Sequence, residues 1–211
     1  KRLSAAEKKA KQGDKEAKAM VAALEKALPL LREGKPARLA QVSEEERTAF
    51  KALNLLTAKP VLYVCNVDEA SAATGNAHSR LVEERAKAEG AGCVIISAKI
   101  EAELAELSPD ERKTYLAELG LAEPGLNRLI REGYKLLGLI TYFTAGPKEA
   151  RAWTVTEGTR APQAAGVIHT DFEKGFIRAE TIPYDDYVAL GGEAGARDAG
   201  KLRLEGKDYV V

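Results

Sequence analysis

The sequence has little cysteine, no excess of either charge and no long apolar run. Its two cysteines, Cys65 and Cys93, each lie in a short apolar β-like run, which is typical of reduced buried thiols and offers too few ligands for a disulfide framework or a cysteine metal site. Because 32 Lys and Arg residues balance 32 Asp and Glu residues, any nucleic-acid contact requires a local basic patch. No apolar run approaches a membrane span and the first residues are charged, so we expect a cytoplasmic protein without membrane contact.

The sequence also lacks G-x-x-x-x-G-K-[ST], the motif that holds nucleotide phosphates and Mg²⁺. GNAHS and GPKEA do not replace it. We therefore expect these 211 residues to be inactive alone in nucleotide hydrolysis and to hold no metal. His78 and His169 have no nucleophile in a suitable context, so no catalytic residue is assigned.

The first part of the chain has a helical pattern. Ser43 and Glu46 form a capping box that predicts a short second helix after the breaker stretch GKPAR. The first helix carries a seam of small and apolar residues that needs a partner helix, so we favour a missing upstream helix, with an ordinary amphipathic helix starting at Ser4 as the alternative. The seam consists of Leu3, Ala6, Ala10, Gly13, Ala17, Met20, Leu24, Ala27 and Leu31.

The middle of the chain, from Lys59 to about Leu137, alternates strand and helix patterns. PVLYVC and CVIIS are apolar strands, and a helix is expected between them at Ala77 to Glu89. Apolar strands joined by crossover helices predict an α/β region whose parallel sheet is covered on both faces. Further helices are expected at Glu101 to Leu107, Asp110 to Leu119 and Gly125 to Leu137.

Beyond Gly138 the helical patterns nearly vanish. The strand-like runs are LITYFTAG, EARAWTVTEGT, GFIRAETI, KLRLEG and DYVV, and helices fit only near Ala161 to His169 and Tyr184 to Leu190. This arrangement predicts a small α+β domain built on a mixed sheet. The last run stops within a strand pattern, so we expect this domain to be incomplete.

Polar residues follow both strands of the predicted parallel sheet. VLYVC leads into Asn66-Val67-Asp68-Glu69, and CVII leads into Ser97-Ala98-Lys99. Ligands of open α/β sheets bind outside the carboxyl ends of strands, so both loops face one crevice. An amide can tie the loops together, and a carboxylate, backbone N–H groups and a lysine stem can contact a planar base. Each loop alone is ordinary turn chemistry, but the pair predicts a base-recognition pocket.

The two loops resemble the fourth and fifth motifs of P-loop G domains. Longer stretches resemble the Obg-like ATPases of the YchF subfamily: KPVLYVCNVDE, ISAKIEAEL, EPGLNRLIREGYKLLGLITYFTAGPKEARAWTV, QAAGVIH and DFEKGFIRAE. The resemblance covers nearly the whole chain and implies an α/β G domain, a helical and partly coiled-coil insertion, and a β-grasp TGS domain that contacts RNA or the ribosome. On that map residues 1–57 end the insertion, 58–137 end the G domain, and 138–211 form an incomplete TGS domain.

The resemblance also implies ATP as the preferred nucleotide. Common GTPases carry N-K-x-D, whose Asp accepts hydrogen bonds from guanine, whereas here Val67 and Glu69 stand in place of the Lys and the Asp. Adenine has neither guanine donor, so losing that pair weakens guanine preference. The phosphate cradle and its Mg²⁺ are expected upstream of this chain. The residues predicted to bind the nucleotide are Asn66, Val67, Glu69, Ser97, Ala98 and Lys99.

Two other hypotheses compete with a nucleotide hydrolase. The first is a non-enzymatic RNA-binding or ribosome-binding module that uses a local basic excess in the first helix and basic residues near Phe172 in the last domain. The second is a coiled-coil adaptor that self-associates through residues 1–57. The residues assigned to RNA are Lys8, Lys9, Lys11, Lys174 and Arg178.

Overall fold

A computed structural model describes residues 2–211 of the chain. They form two compact units: the first runs to Leu136 and the second spans Leu137–Val211. The predicted subdivision of the first unit at residue 57 stays a prediction. No helix among the described residues is both long and apolar enough to cross a membrane.

Helices and two strands make up the chain as far as the unit boundary. The crossover helix between the strands and the last helix of this region have the predicted bounds, whereas the helix after the second strand begins earlier than predicted. In order, the elements are α1 (Arg2–Lys11), α2 (Lys15–Arg32), α3 (Glu44–Ala52), β1 (Leu62–Asn66), α4 (Ala77–Glu89), β2 (Gly92–Ile96), α5 (Ala98–Glu106), α6 (Pro109–Glu118) and α7 (Gly125–Leu137).

The predicted first helix is broken into α1 and α2, so the prediction of one uninterrupted seam is wrong. Gly13 adopts a φ of 94°, which favours glycine and ends a helix. Asp14 then caps α2, because its carboxylate accepts hydrogen bonds from the amides of Glu16 at 2.9 Å and Ala17 at 3.1 Å. The turn chemistry of Gly-Asp therefore overrides the apolar periodicity on either side.

The apolar face of α2 is covered inside the first unit. Both α1 and α3 pack against this helix, so the face does not depend on an upstream helix for its partners. An ordinary amphipathic helix on a local core describes α2 better than a long coiled-coil seam does, but the predicted start at Ser4 is wrong, because α1 begins at Arg2 and α2 begins at Lys15. The buried residues of this core are Ala6, Ala23, Leu24, Ala27, Ala37, Phe50 and Leu53.

The predicted capping box at the start of α3 is confirmed. Ser43 caps the helix, and the Glu46 carboxylate accepts from the Ser43 amide at 2.9 Å. The Lys26 ammonium of α2 also binds this carboxylate. The Lys26 bond, followed by the bonds from Ser43, lowers the pKa of Glu46 from 4.5 to about 2. Glu46 therefore joins the cap of one helix to its neighbour.

β1 and β2 pair in parallel, as predicted, with Leu62 opposite Gly92 and Asn66 opposite Ile96. The Sγ atoms of Cys65 and Cys93 lie 3.8 Å apart. Both thiols are free and half-buried. Burial, followed by the bond to Cys65, raises the pKa of the Cys93 thiol to about 11. The burial predicted for the two thiols is therefore only partial, and their reduced state stays a prediction.

Glu89, at the end of α4, connects β1 to the helical region. Its carboxylate accepts hydrogen bonds from Arg38 at 2.5 Å, from the Tyr63 hydroxyl at 3.0 Å and from Arg85 at 3.0 Å. These bonds, led by the one from Arg38, lower the pKa of Glu89. Because Tyr63 lies in β1, the ion-pair cluster fixes this strand relative to the segment that follows α2.

The second unit contains more helix than the sequence predicts. Two helices were missed because five or six residues give too little length for a periodic pattern. The elements are β3 (Leu139–Ala145), β4 (Ala150–Thr156), α8 (Ala161–Ile168), α9 (Thr170–Lys174), β5 (Ala179–Thr181), α10 (Tyr184–Ala189), α11 (Glu193–Asp198) and β6 (Arg203–Glu205).

The strands of the second unit form two separate antiparallel pairs, β3 with β4 and β5 with β6. The prediction of one mixed sheet is therefore wrong for the described residues. An apolar cavity of about 670 Å³ lies between β3 and β5. The DYVV run makes a single bridge, from Val210 to Arg160, rather than a strand.

The lowered pKa of Glu46 predicts that the stability of the helical region depends on pH. A carboxyl group whose pKa is lowered on folding adds stability above its unfolded pKa, and this stability is lost as the pH falls toward the folded value. We expect Glu46→Gln to lower the melting temperature most near pH 7. The difference from the parent should shrink between pH 4.5 and about 2. Thermal unfolding followed by circular dichroism at several pH values measures this difference.

The matched control is Glu45→Gln on the same exposed turn, because Glu45 makes no ion pair with any described residue. A Glu46→Gln difference that stays constant from pH 7 to pH 2 would contradict the assignment.

Candidate functional site

The loops that follow β1 and β2 leave the sheet side by side. The strands are parallel and end in register, with Asn66 opposite Ile96. The Val67 amide donates to the Ile96 carbonyl at 2.9 Å, which extends the pairing one residue beyond the strands. The predicted neighbourhood of the two loops is confirmed, whereas their role in binding a nucleotide stays a prediction.

Asn66 ties the two loops together through its side chain. Its Oδ1 atom accepts a hydrogen bond of 2.9 Å from the Ala98 amide. This is the bracing contact predicted for a strand-end asparagine. It also occupies the Ala98 N–H group, which the sequence suggested as a donor to a ligand.

A second bridge joins the loops through charge. The Lys99 ammonium binds the Glu69 carboxylate. This bond lowers the pKa of Glu69 and raises the pKa of Lys99. Sequence reasoning assigned only the aliphatic stem of Lys99 and missed the ion pair. The pair becomes apparent only with the strand register, because Glu69 and Lys99 each lie three residues beyond the register pair of Asn66 and Ile96.

Asp68, which lies between the predicted contact residues, has a structural role. Its carboxylate accepts from the Ser71 amide at 2.9 Å and caps a short 3₁₀ helix, Glu69–Ser71. This cap fixes the start of the turn that carries Glu69. Asp68 is not among the residues predicted to bind the nucleotide, and ordinary turn chemistry was the alternative interpretation of each loop.

Ser97 stands at the N-terminus of α5 and is buried, with 3% of its surface exposed. Within residues 2–211 its hydroxyl has no hydrogen-bond partner. The first-turn amides of Lys99 and Ile100 likewise lack an acceptor in the part of the chain described. Unsatisfied amides and the helix dipole make a helix N-terminus a donor surface. The loop therefore combines donors with the nearby Glu69 carboxylate.

Packing and one hydrogen bond fix the position of α5. Ile100 and Leu104 are buried against Ala72 and Leu116, and Glu101 accepts from the Gly125 amide at 2.7 Å.

Gly125 itself leaves room for this contact. A Cβ atom at this position would lie 2.9 Å from the Glu101 carboxylate and 3.0 Å from Ile96 Cγ2, so a larger residue would displace the start of α7. Gly125 lies in the longest of the stretches quoted for the family resemblance, which by itself shows no physical reason for a glycine there.

The residues assigned to RNA lie on exposed surfaces of both units. Lys8, Lys9 and Lys11 project from α1, and no carboxylate of the described residues forms an ion pair with them. Lys174 ends α9 and Arg178 follows it, also exposed. Among residues 2–211 no three His, Cys, Asp or Glu side chains cluster as metal ligands do.

Removal of the Asn66 side chain should loosen the second loop. A typical intramolecular hydrogen bond contributes about 1 kcal/mol. We therefore expect Asn66→Ala to speed hydrogen exchange of the Ala98 amide about fivefold. Exchange measured by NMR tests this, with the Val67 amide as internal control because its acceptor is the Ile96 backbone. Unchanged Ala98 exchange would show that the side-chain bond does not brace the loops.

Comparison with known proteins places the chain among YchF proteins. Residues 139–211 match the family model YchF-GTPase_C, described as a protein of unknown function (DUF933). The ribosome-binding ATPase YchF of Escherichia coli O157:H7 is 55% identical over 205 residues, which cover 97% of this chain and 56% of that protein. The ribosome-binding ATPase YchF of Bacillus subtilis is 50% identical over 213 residues, covering 100% of this chain and 58% of that protein.

The fold agrees with these relatives. The solved structure of the Schizosaccharomyces pombe YchF GTPase matches with a TM-score of 0.82 and 36% identity, covering 92% of this chain and 52% of that one. The chain therefore spans little more than half the length of the relatives that it matches. On its sequence, its C-terminal region and its fold, the chain belongs to the YchF family.

Proposed function

We propose that this chain is part of a ribosome-associated, cytoplasmic protein that binds and hydrolyses ATP, and that its strand-end loops read the nucleotide base. The observation that carries the proposal is the bridge from Asn66 to the Ala98 amide at 2.9 Å, which joins two loops at the carboxyl ends of parallel strands. Ligands of α/β sheets bind at this position. The names of the relatives, ribosome-binding ATPase and GTPase, support the same class of protein.

The residues at the loops are suited to a base that offers no acidic ring N–H. Glu69 occupies the place where common GTPases have the aspartate that accepts from guanine, and its carboxylate is engaged by Lys99. Val67 is half-buried and presents an apolar side chain where those proteins have a lysine. We infer that Val67 and Glu69 favour ATP over GTP, because guanine would lose the carboxylate that accepts its hydrogen bonds in common GTPases.

The finer domain assignments belong to the same proposal. We assign residues 1–57 to the end of a helical insertion, 58–137 to the last part of a G domain and 138–211 to an incomplete TGS domain. The β3–β4 hairpin and the helix α8 that follows it agree with a β-grasp unit.

Magnesium is expected with the ATP phosphates, where it neutralises their charge during hydrolysis. Residues 2–211 do not provide a cluster of three ligands for it, and the sequence has no phosphate-binding motif. We propose that the 211 residues alone bind the base without hydrolysing ATP.

Exchange of the base-reading residues tests the proposal. The protein is extended to the length of its YchF relatives, here called the full-length form, and ATP and GTP affinities are measured by competition with a fluorescent nucleotide. We expect the parent to prefer ATP. Val67→Lys combined with Glu69→Asp should shift preference toward GTP by about tenfold or more, because hydrogen-bonding groups discriminate strongly between bases.

The matched control makes the same two exchanges, Val188→Lys and Glu193→Asp, at exposed positions in the second unit. Its affinities should equal those of the parent. If the parent binds neither ATP nor GTP, the two loops are ordinary turns and the proposal is wrong.

RNA binding is a second candidate function, favoured by the unpaired lysines of α1. Each phosphate contact contributes about 0.7 to 0.9 to the slope of log affinity against log salt. Replacing Lys8, Lys9 and Lys11 by Gln should therefore lower the slope for a short RNA by about 2. Filter binding at salt concentrations from about 50 to about 200 mM measures this slope. The matched control replaces the exposed lysines Lys59, Lys87 and Lys113 by Gln.

Equal slopes for the two triple variants would remove α1 from the candidate RNA surface. Comparison with Lys174→Gln and Arg178→Gln would then show whether the second unit carries the contact instead.

A further inference from the structure

We propose that Lys99 sets base specificity through its ion pair with Glu69, by keeping that carboxylate from serving as a guanine acceptor. The inference rests on the proposed function, because it needs a nucleotide base at these loops. It makes Lys99 a positioning residue for Glu69 rather than only a wall of the pocket.

The geometry gives the loops two polar bridges. The inner bridge is uncharged and runs from Asn66 to the Ala98 amide at 2.9 Å. The outer bridge is the ion pair between Glu69 and Lys99, whose residues lie 30 positions apart in the chain. Because the inner bridge and the sheet register already hold the loops together, the outer bridge is available to orient one carboxylate.

Exposure argues against a mainly stabilising role for this pair. The side chains of Lys99 and Glu69 are 66% and 36% exposed, and solvent-exposed ion pairs contribute little to stability. The buried residues Ile100 and Leu104 are what fix α5 against the rest of the unit. The main physical effect of the ion pair is therefore to orient the Glu69 carboxylate and to limit the other hydrogen bonds that it can accept.

Lys99 has one further acidic neighbour. Glu103 lies one turn along α5, and its carboxylate accepts a hydrogen bond from the Tyr115 hydroxyl. Glu69 is the first cause of the raised pKa of Lys99, ahead of Glu103 and Tyr115. The ammonium forms its ion pair with Glu69, which lies on the loop after β1.

The chemistry of the two bases gives the pair its consequence. Guanine has a ring N–H and an amino group, and a free carboxylate would accept hydrogen bonds from both. Adenine has a ring nitrogen lone pair at the same edge, and a free carboxylate would repel it. An ammonium on Glu69 engages an oxygen of the carboxylate and neutralises its charge. Loss of the ammonium should favour guanine and disfavour adenine at once.

Three variants of the full-length form test the inference. Lys99→Met should lower the ratio of ATP to GTP affinity about tenfold, the size expected for one charged hydrogen-bonding group. Lys99→Arg keeps a cation and should retain most of the parent ratio. On a Glu69→Gln background, Lys99→Met should leave the ratio unchanged, because the two substitutions act through one interaction.

A second readout uses the 211-residue chain without nucleotide. NMR titration of the Glu69 carboxyl carbon should show its pKa rising toward the ordinary value in Lys99→Met, with Lys113→Met as control. The inference is overturned if Lys99→Met raises this pKa and keeps the parent ATP to GTP ratio, or if it changes the ratio equally on both Glu69 backgrounds. If the parent binds neither nucleotide, the proposed function fails, and this inference fails with it.

Discussion

The parallel, in-register pairing of β1 and β2 is the constraint on which the candidate site depends. The pairing places Asn66 opposite Ile96, so the two loops begin at the same level of the sheet. One backbone bond from Val67 and one side-chain bond from Asn66 carry the alignment past the strands. A shift of one residue in this register would separate every bridging pair between the loops. The positions of the site residues therefore depend on the pairing of the two strands more than on any single side chain.

Polar contacts hold the pieces around that sheet, and each joins elements that are distant in sequence. Glu89 connects β1 to the segment after α2 through Tyr63 and Arg38. Glu101 connects α5 to the start of α7. The apolar cores of the first unit consist of small clusters, so these bonds set the relative positions of helices that packing alone would leave less defined. The bond from Arg38, followed by the bond from Tyr63, lowers the pKa of Glu89.

The sequence predicted those features that depend on local patterns. The parallel strands, the helices α4 and α7, the capping box at Ser43 and the two neighbouring loops all follow from apolar periodicity and cap chemistry. The break at Gly13 was hidden because apolar spacing continues across it. The short helices α9 and α11 had too few residues to show a period. The ion pair of Glu69 and Lys99 depends on the strand register. The sequence alone does not show which residues of the two strands lie opposite each other.

We propose that the loops after β1 and β2 contact the nucleotide base. The most direct test is an isotope-edited NOE measurement on the full-length form with bound ATP. We expect NOEs from the adenine H2 and H8 protons to the Val67 methyl groups and to the Ala98 methyl group. Bound ATP whose adenine protons show NOEs only to other residues would contradict this proposal.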